Sequence, residues 1–192
     1  LCGILVEEGK LAWTEPVQSY RPDFETVHDP EVSKRATLLD ILSHGTGLAP
    51  MDHAFLGFWD EFWTPLDEQV KVAGNLPVSY NFRTQWLYNN TMIGVAGDVI
   101  ASVTGRSWGR VLRERILEPL GLTRTFSSAD NYPPDGNFAR GYSVHDNGSL
   151  LPLERSALND GDFHESAGSV KSSVRDMLTW AKAVMESEAR ED

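Results

Sequence analysis

Residues 91–103 constrain this chain more than any other stretch. Met92, Ile93, Ala96, Val99, Ile100 and Val103 recur at three- and four-residue steps, the period of a helix with one apolar face. Gly105 predicts its end. Directly ahead stand Tyr88, Asn89 and Asn90. A helix start asks for one capping side chain, so a Tyr-x-Asn set in front of it calls for another explanation.

Other elements follow from local signals. The opening residues LCGILVEEGKL read as the last turns of a helix ending at Gly9. Thr37 and Asp40 have the spacing of a capping box before a short helix whose apolar side is Leu38, Leu39, Ile41 and Leu42. The turn HGTGL follows, with two glycines to allow positive φ. The aromatic run HAFLGFWDEFWTPL, 53–66, reads as core packing or as the wall of a pocket. Ser107 is placed to cap a helix over WGRVLRERILEPL, which stops before Pro119 and Gly121. From Ser127 to about Asp162 the chain is rich in Pro, Gly, Asn, Asp and Ser, which predicts loops with one or two short strands, for instance around FARGYSV. Ser173 and Asp176 have capping-box spacing and open a last helix.

The 192 residues suit one domain, and 41% hydrophobic with 23% charged residues is a globular balance. A net charge of -11 disfavours nucleic-acid partners. No apolar run approaches the roughly 20 residues of a membrane span. A single cysteine, Cys2, excludes an intrachain disulfide and any multi-cysteine metal site, and it leans toward a reducing, cytoplasmic setting. His28, His44, His53, His145 and His164 make none of the zinc-enzyme spacings, so no metal and no cofactor is expected. Phosphate loops and the G-x-S-x-G elbow are absent. Ser43-His44 invites a catalytic dyad, but neighbours on a helix point in different directions, and His44 reads as scaffold. The sequons at Asn89 and Asn147 read as chance matches, since a sugar on Asn89 would fill the cleft beside Tyr88.

What Tyr-x-Asn can do is acid/base work. A phenol has a reference pKa near 10 and becomes a base at neutral pH only beside a cation such as lysine. It then takes a proton from a serine hydroxyl and returns it to a leaving group. An asparagine two residues on can hold a substrate carbonyl or orient the lysine. Taken alone the pattern is weak, and Asn90 is equally suited to cap a helix from Thr91.

Five segments in order raise its weight. LVEEGKLAWTEPVQSYRPDF, TLLDILSHGTGL, WLYNNTMIGVAGDVIASVTGRSW, ILEPLGLTRT and SAGSVKSSVRDMLTWAKAVM resemble, over nearly the whole chain, the serine beta-lactamase and penicillin-binding-protein-like superfamily. The likeness is greatest to class C enzymes and related esterases, transesterases and D-amino peptidases. TLLDILSHGTGL is similar to that family's LLSHTSGL segment. The resemblance implies an α+β, beta-lactamase/transpeptidase-like fold, with Tyr88 as the catalytic tyrosine and Asn90 as the substrate-binding asparagine. It implies acyl transfer on a small-molecule ester or amide.

The family's reaction also needs Ser-x-x-Lys, in which serine attacks and lysine, one helical turn on, manages the proton. No serine here has lysine three residues later, and Thr179 with Lys182 fits only as Thr-x-x-Lys in the last helix. The Lys-Thr-Gly or His-x-Gly strand, which contributes to the oxyanion hole, is likewise missing. The expectation is therefore that residues 1–192 are a partial domain: the helical subdomain, with most of the central antiparallel sheet lying elsewhere. Such a chain is expected to be inactive by itself, with its helices left apolar where they lack the sheet. The alternative is a truncated, non-catalytic relative that serves as a binding or scaffold protein.

Overall fold

The computed structural model describes residues 1–52, 66–127, 136–152 and 165–188. Its helices are α1 (Cys2–Glu7), α2 (Pro30–Arg35), α3 (Leu38–Leu42), α4 (Gln69–Gly74), α5 (Asn90–Thr104), α6 (Trp108–Leu112), α7 (Glu165–Gly168) and α8 (Val174–Glu188). Strands β1 (Tyr142–Val144) and β2 (Leu150–Pro152) pair antiparallel, with Tyr142 opposite Pro152. Among the described residues this hairpin is the whole sheet. The chain is thus helix-rich α+β, and the hairpin falls where FARGYSV predicted a strand. Among the described residues no helix is long and apolar enough to cross a membrane.

The period-3.6 run became the centre of the molecule. α5 packs against α3, α4, α6 and α7, and Met92, Val95, Val99 and Ile100 are buried among Leu5, Val17, Phe24, Val32, Leu38 and Ile41. Gly105 closes α5 in the left-handed region, with φ 66°. Gly97 lets α7 come close: a Cβ there would stand 2.4 Å from the Ser166 Oγ, and that hydroxyl donates to the Ile93 carbonyl at 2.9 Å.

Two expectations change in detail. Ser107 caps α6 as its spacing implied, but the helix does not run evenly to Pro119; residues Arg113–Leu117 widen into a π turn. Ser173 Oγ accepts from the Asp176 N–H at 3.1 Å, which is half of a capping box. The Asp176 carboxylate, however, reaches across to accept from the Arg124 N–H (2.8 Å) and the Thr125 hydroxyl (2.7 Å). A tertiary partner with two donors outcompetes the local one. Beyond that tie, Val174, Leu178 and Met185 of α8 face solvent, as do Val144 and Leu150 of the hairpin.

One buried carboxylate inside this core titrates in an accessible range. Asp98 of α5 accepts from Gln69 Nε2 at 3.0 Å and lies 3.6 Å from Arg21 Nη1. Burial raises its pKa from 3.8 to about 6, against the opposing pull of Gln69 and Arg21. The folded state therefore binds a proton that the unfolded state has released between about pH 4 and pH 6, and stability falls as pH rises through that window. Asp98→Asn is expected to flatten this slope and to raise stability at pH 7.5 by about 1–3 kcal/mol, the upper figure being the full pKa displacement. Urea melts at pH 4.5 and 7.5 measure it; an unchanged pH slope in the variant would place the titration elsewhere.

Candidate active site

The site grows out of the turn after α3. Thr37 and Asp40 form the full capping box that their spacing predicted. The same Asp40 carboxylate takes both ends of the Arg83 guanidinium, Nε at 2.7 Å and Nη2 at 2.8 Å. Burial pushes the Asp40 pKa up, but Arg83 and Thr37 outweigh it and leave the carboxyl below its ordinary value. One residue thus both starts α3 and fastens the loop that leads to Tyr88.

The turn HGTGL is laced to that loop. The Gly47 carbonyl accepts from the N–H groups of Ser79 (2.9 Å) and Tyr80 (3.1 Å), Ala49 N–H donates to Pro77 O (2.7 Å), and Arg83 N–H donates to Gly45 O (2.9 Å). Gly47 has φ 74°, and a Cβ on it would stand 2.2 Å from the Tyr80 oxygen. His44 also adopts positive φ, 61°, a conformation that costs a non-glycine residue about 1–3 kcal/mol. Ser43 is the C-cap of α3, so His44 lies past the helix rather than on it, which corrects the helical geometry expected for this pair.

Its carbonyl accepts from Leu87 N–H at 3.0 Å, and its ring Nδ1 accepts from Asn89 N–H at 3.2 Å.

Asn89 caps α5. Its Oδ1 accepts from Met92 N–H at 3.2 Å, while its Nδ2 donates to the carbonyls of Leu48 (3.0 Å) and Ala49 (3.4 Å). The side chain is fully buried, so Asn89 is a keystone between the turn and α5. Because Asn89 does the capping, Asn90, the first residue of α5, is released from that task.

Tyr88 and Asn90 then meet. The Asn90 Nδ2 donates to Asp52 Oδ1 at 3.3 Å. A carboxylate only accepts, so this bond turns the Asn90 Oδ1 toward Tyr88, whose hydroxyl donates to it at 2.8 Å. Tyr88 is 47% exposed, enough for a reacting molecule to reach its hydroxyl. Its ring lies 4.6 Å from the His44 ring, tilted by 47°, and Trp86 meets His44 edge-on at 5.6 Å. The structure therefore brings the two sequence-predicted residues, Tyr88 and Asn90, into direct contact. Asp52 and the His44 bond were not foreseen; both come from residues about 40 positions away, and no local pattern marks them. The aromatic run proposed as a pocket wall falls at residues 53–65, outside the described residues, with Leu66 at the start of the next described turn.

The family model described as Beta-lactamase matches residues 1–192. The chain belongs to the beta-lactamase family. An unguisins hydrolase of Aspergillus campestris is 33% identical over 188 residues, covering 95% of this chain and 35% of the relative. The beta-lactamase of Escherichia coli K12 is 24% identical, with 95% of this chain and 44% of that protein covered. This chain thus spans about a third to a half of these relatives' length. Among solved structures, the octameric penicillin-binding protein homologue of Pyrococcus abyssi superposes with a TM-score of 0.76 at 25% identity, over 95% of this chain and 41% of that one. A D-stereospecific amidohydrolase from Streptomyces gives 0.75 at 27%, over 93% and 55%. The fold is beta-lactamase/transpeptidase-like. In this beta-lactamase-family chain the two-stranded sheet of the described residues accords with a partial domain.

Proposed function

We propose that residues 1–192 are the central, helical part of a serine hydrolase or acyltransferase that moves the acyl group of a small ester or amide through a serine acyl-enzyme. Tyr88 is its acid/base and Asn90 its contact for the substrate carbonyl and the catalytic lysine. The observation that carries the reading is the division of labour at the start of α5. Asn89 alone caps the helix, and the exposed Tyr88 hydroxyl is paired to Asn90 instead. A structural tyrosine has no need of that second asparagine.

In this reading the serine and lysine, and the strand that completes the oxyanion hole, are supplied by segments of the protein outside these residues. The 192-residue chain alone then forms no acyl-enzyme, because a phenol without serine and lysine has nothing to deprotonate. The full-length protein should be labelled at a serine by an electrophilic acyl probe such as a fluorophosphonate or an activated ester, while the 192-residue chain should not. Absence of any serine label on the folded full-length protein would overturn the reading. A second reading, a non-catalytic relative that binds or scaffolds, is favoured by one observation, the lack of any Ser-x-x-Lys in the chain, and an unlabelled full-length protein is the outcome it requires.

A further inference from the structure

His44 touches the Tyr88 segment at three places. Its carbonyl holds the N–H of Leu87 at 3.0 Å, its Nδ1 holds the N–H of Asn89 at 3.2 Å, and its ring lies against the ring between them. The two hydrogen bonds bracket Tyr88 along the chain, so the direction in which the phenol leaves the backbone is set by residue 44. The positive φ of His44 is what lets one residue present its carbonyl and its ring to the same strand of chain.

The chemistry of the second bond is specific. A backbone N–H only donates, so Nδ1 must be the unprotonated nitrogen and the imidazole is the neutral Nε2–H tautomer. A protonated imidazole has no acceptor left, and the Asn89 N–H would lose its partner. We propose that His44 is a positioning residue for acyl transfer, holding the Tyr88–Asn90 pair in register through its neutral Nδ1, and that protonating it releases the pair. This rests on the function proposed above.

The surroundings fit. Asp40 of α3 is taken by Arg83, and Arg83, from the loop before Tyr88, is spent on Asp40. Asp52, from the segment after the turn, accepts from Asn90. Tyr88 presents its ring to the imidazole and its hydroxyl to Asn90. None of these bonds offers the imidazole a carboxylate that would favour its cation. Burial lowers the His44 pKa from 6.5, which keeps the acceptor in place at neutral pH and sets its loss on the acid side.

Asparagine is the informative replacement. Its side-chain oxygen can stand where Nδ1 stands, it tolerates positive φ better than most residues, and it does not titrate. In the full-length protein at pH 8, His44→Asn is expected to keep kcat within about threefold. His44→Phe, which keeps the ring and loses the acceptor, should lower kcat about tenfold or more with little change in KM, since small misplacements of a reacting group are costly. The wild-type kcat should carry an acid limb that His44→Asn lacks. Nitrogen NMR of histidine-labelled protein supplies the readout that needs no activity. The His44 Nδ1 should be bare at pH 7.5, and the Asn89 amide proton should shift with the titration of His44. An Nδ1–H tautomer, a fully active His44→Phe, or an unchanged acid limb in His44→Asn would each overturn the proposal. If Tyr88 proves dispensable for activity, the functional reading fails, while the coupling of His44 to the Asn89 amide remains separately measurable.

Discussion

Tyr88→Phe in the full-length protein is expected to lower kcat by about a hundredfold to ten-thousandfold, the range of a lost general acid/base, with KM changed far less. The structure makes the variant clean. Phenylalanine keeps the ring that lies 4.6 Å from His44 and removes only the hydroxyl that donates to Asn90. That hydrogen bond is half in solvent, so its loss costs about 1 kcal/mol of stability or less, and folded protein will be available to assay. Steady-state kinetics on a chromogenic ester, with thermal melts of both proteins, give the answer. A kcat within threefold of wild type in a folded variant would remove Tyr88 from the chemistry.

Gly47→Ala should be the most damaging single methyl in the described part of the site. The residue sits at φ 74°, and the new Cβ would stand 2.2 Å from the backbone oxygen of Tyr80. The backbone conformation costs an L-residue about 1–2 kcal/mol, and pushing a packed backbone away costs about 1–3 kcal/mol more. The loss should therefore be about 2–5 kcal/mol, read as a lower Tm or urea midpoint. Because Gly47 holds both Ser79 and Tyr80, the displacement should travel to the Tyr88 loop and lower kcat as well. Gly45→Ala is the control two residues away. There a Cβ meets nothing nearer than 3.6 Å and the backbone is not in the left-handed region, so a change under about 1 kcal/mol is expected at this half-buried position. Equal losses in the two variants would show that the crowding at Tyr80 is not what matters.

What the sequence made legible is whatever depends on neighbours in the chain. The apolar period of α5, its glycine stop, the Thr37–Asp40 box and the Ser107 cap are all bonds or contacts within four residues, and each has a residue-type signature. The fold class was legible only through the resemblance of five segments, kept in order, to the beta-lactamase family. The site was legible only in outline, because Tyr88 and Asn90 are two residues apart, whereas their supports are remote. Asp52, His44 and the carbonyls of Leu48 and Ala49 approach from a separate turn, and a polar side chain carries no mark of which distant backbone atom it will find. Asp176 shows the same thing from the other side: its spacing promised a local bond, and the Thr125 hydroxyl won it. Asp98 gave no signal either, since its shifted titration comes from burial in the core, which Gln69 and Arg21 only partly offset.

The bond between Asp176 and residues 124–125 has a mechanical consequence. α8 is 15 residues long, roughly 22 Å at the rise of an α-helix, and it is pinned at its first turn by Ser173 and Asp176. Farther along, Trp180 and Met185 are 39% and 70% exposed. A rod clamped at one end moves most at the other. Local opening free energy should therefore fall along α8 from its clamp outward: the amides just past the first turn exchange with solvent on the timescale of the core, and those past Trp180 exchange as a nearly free peptide helix would.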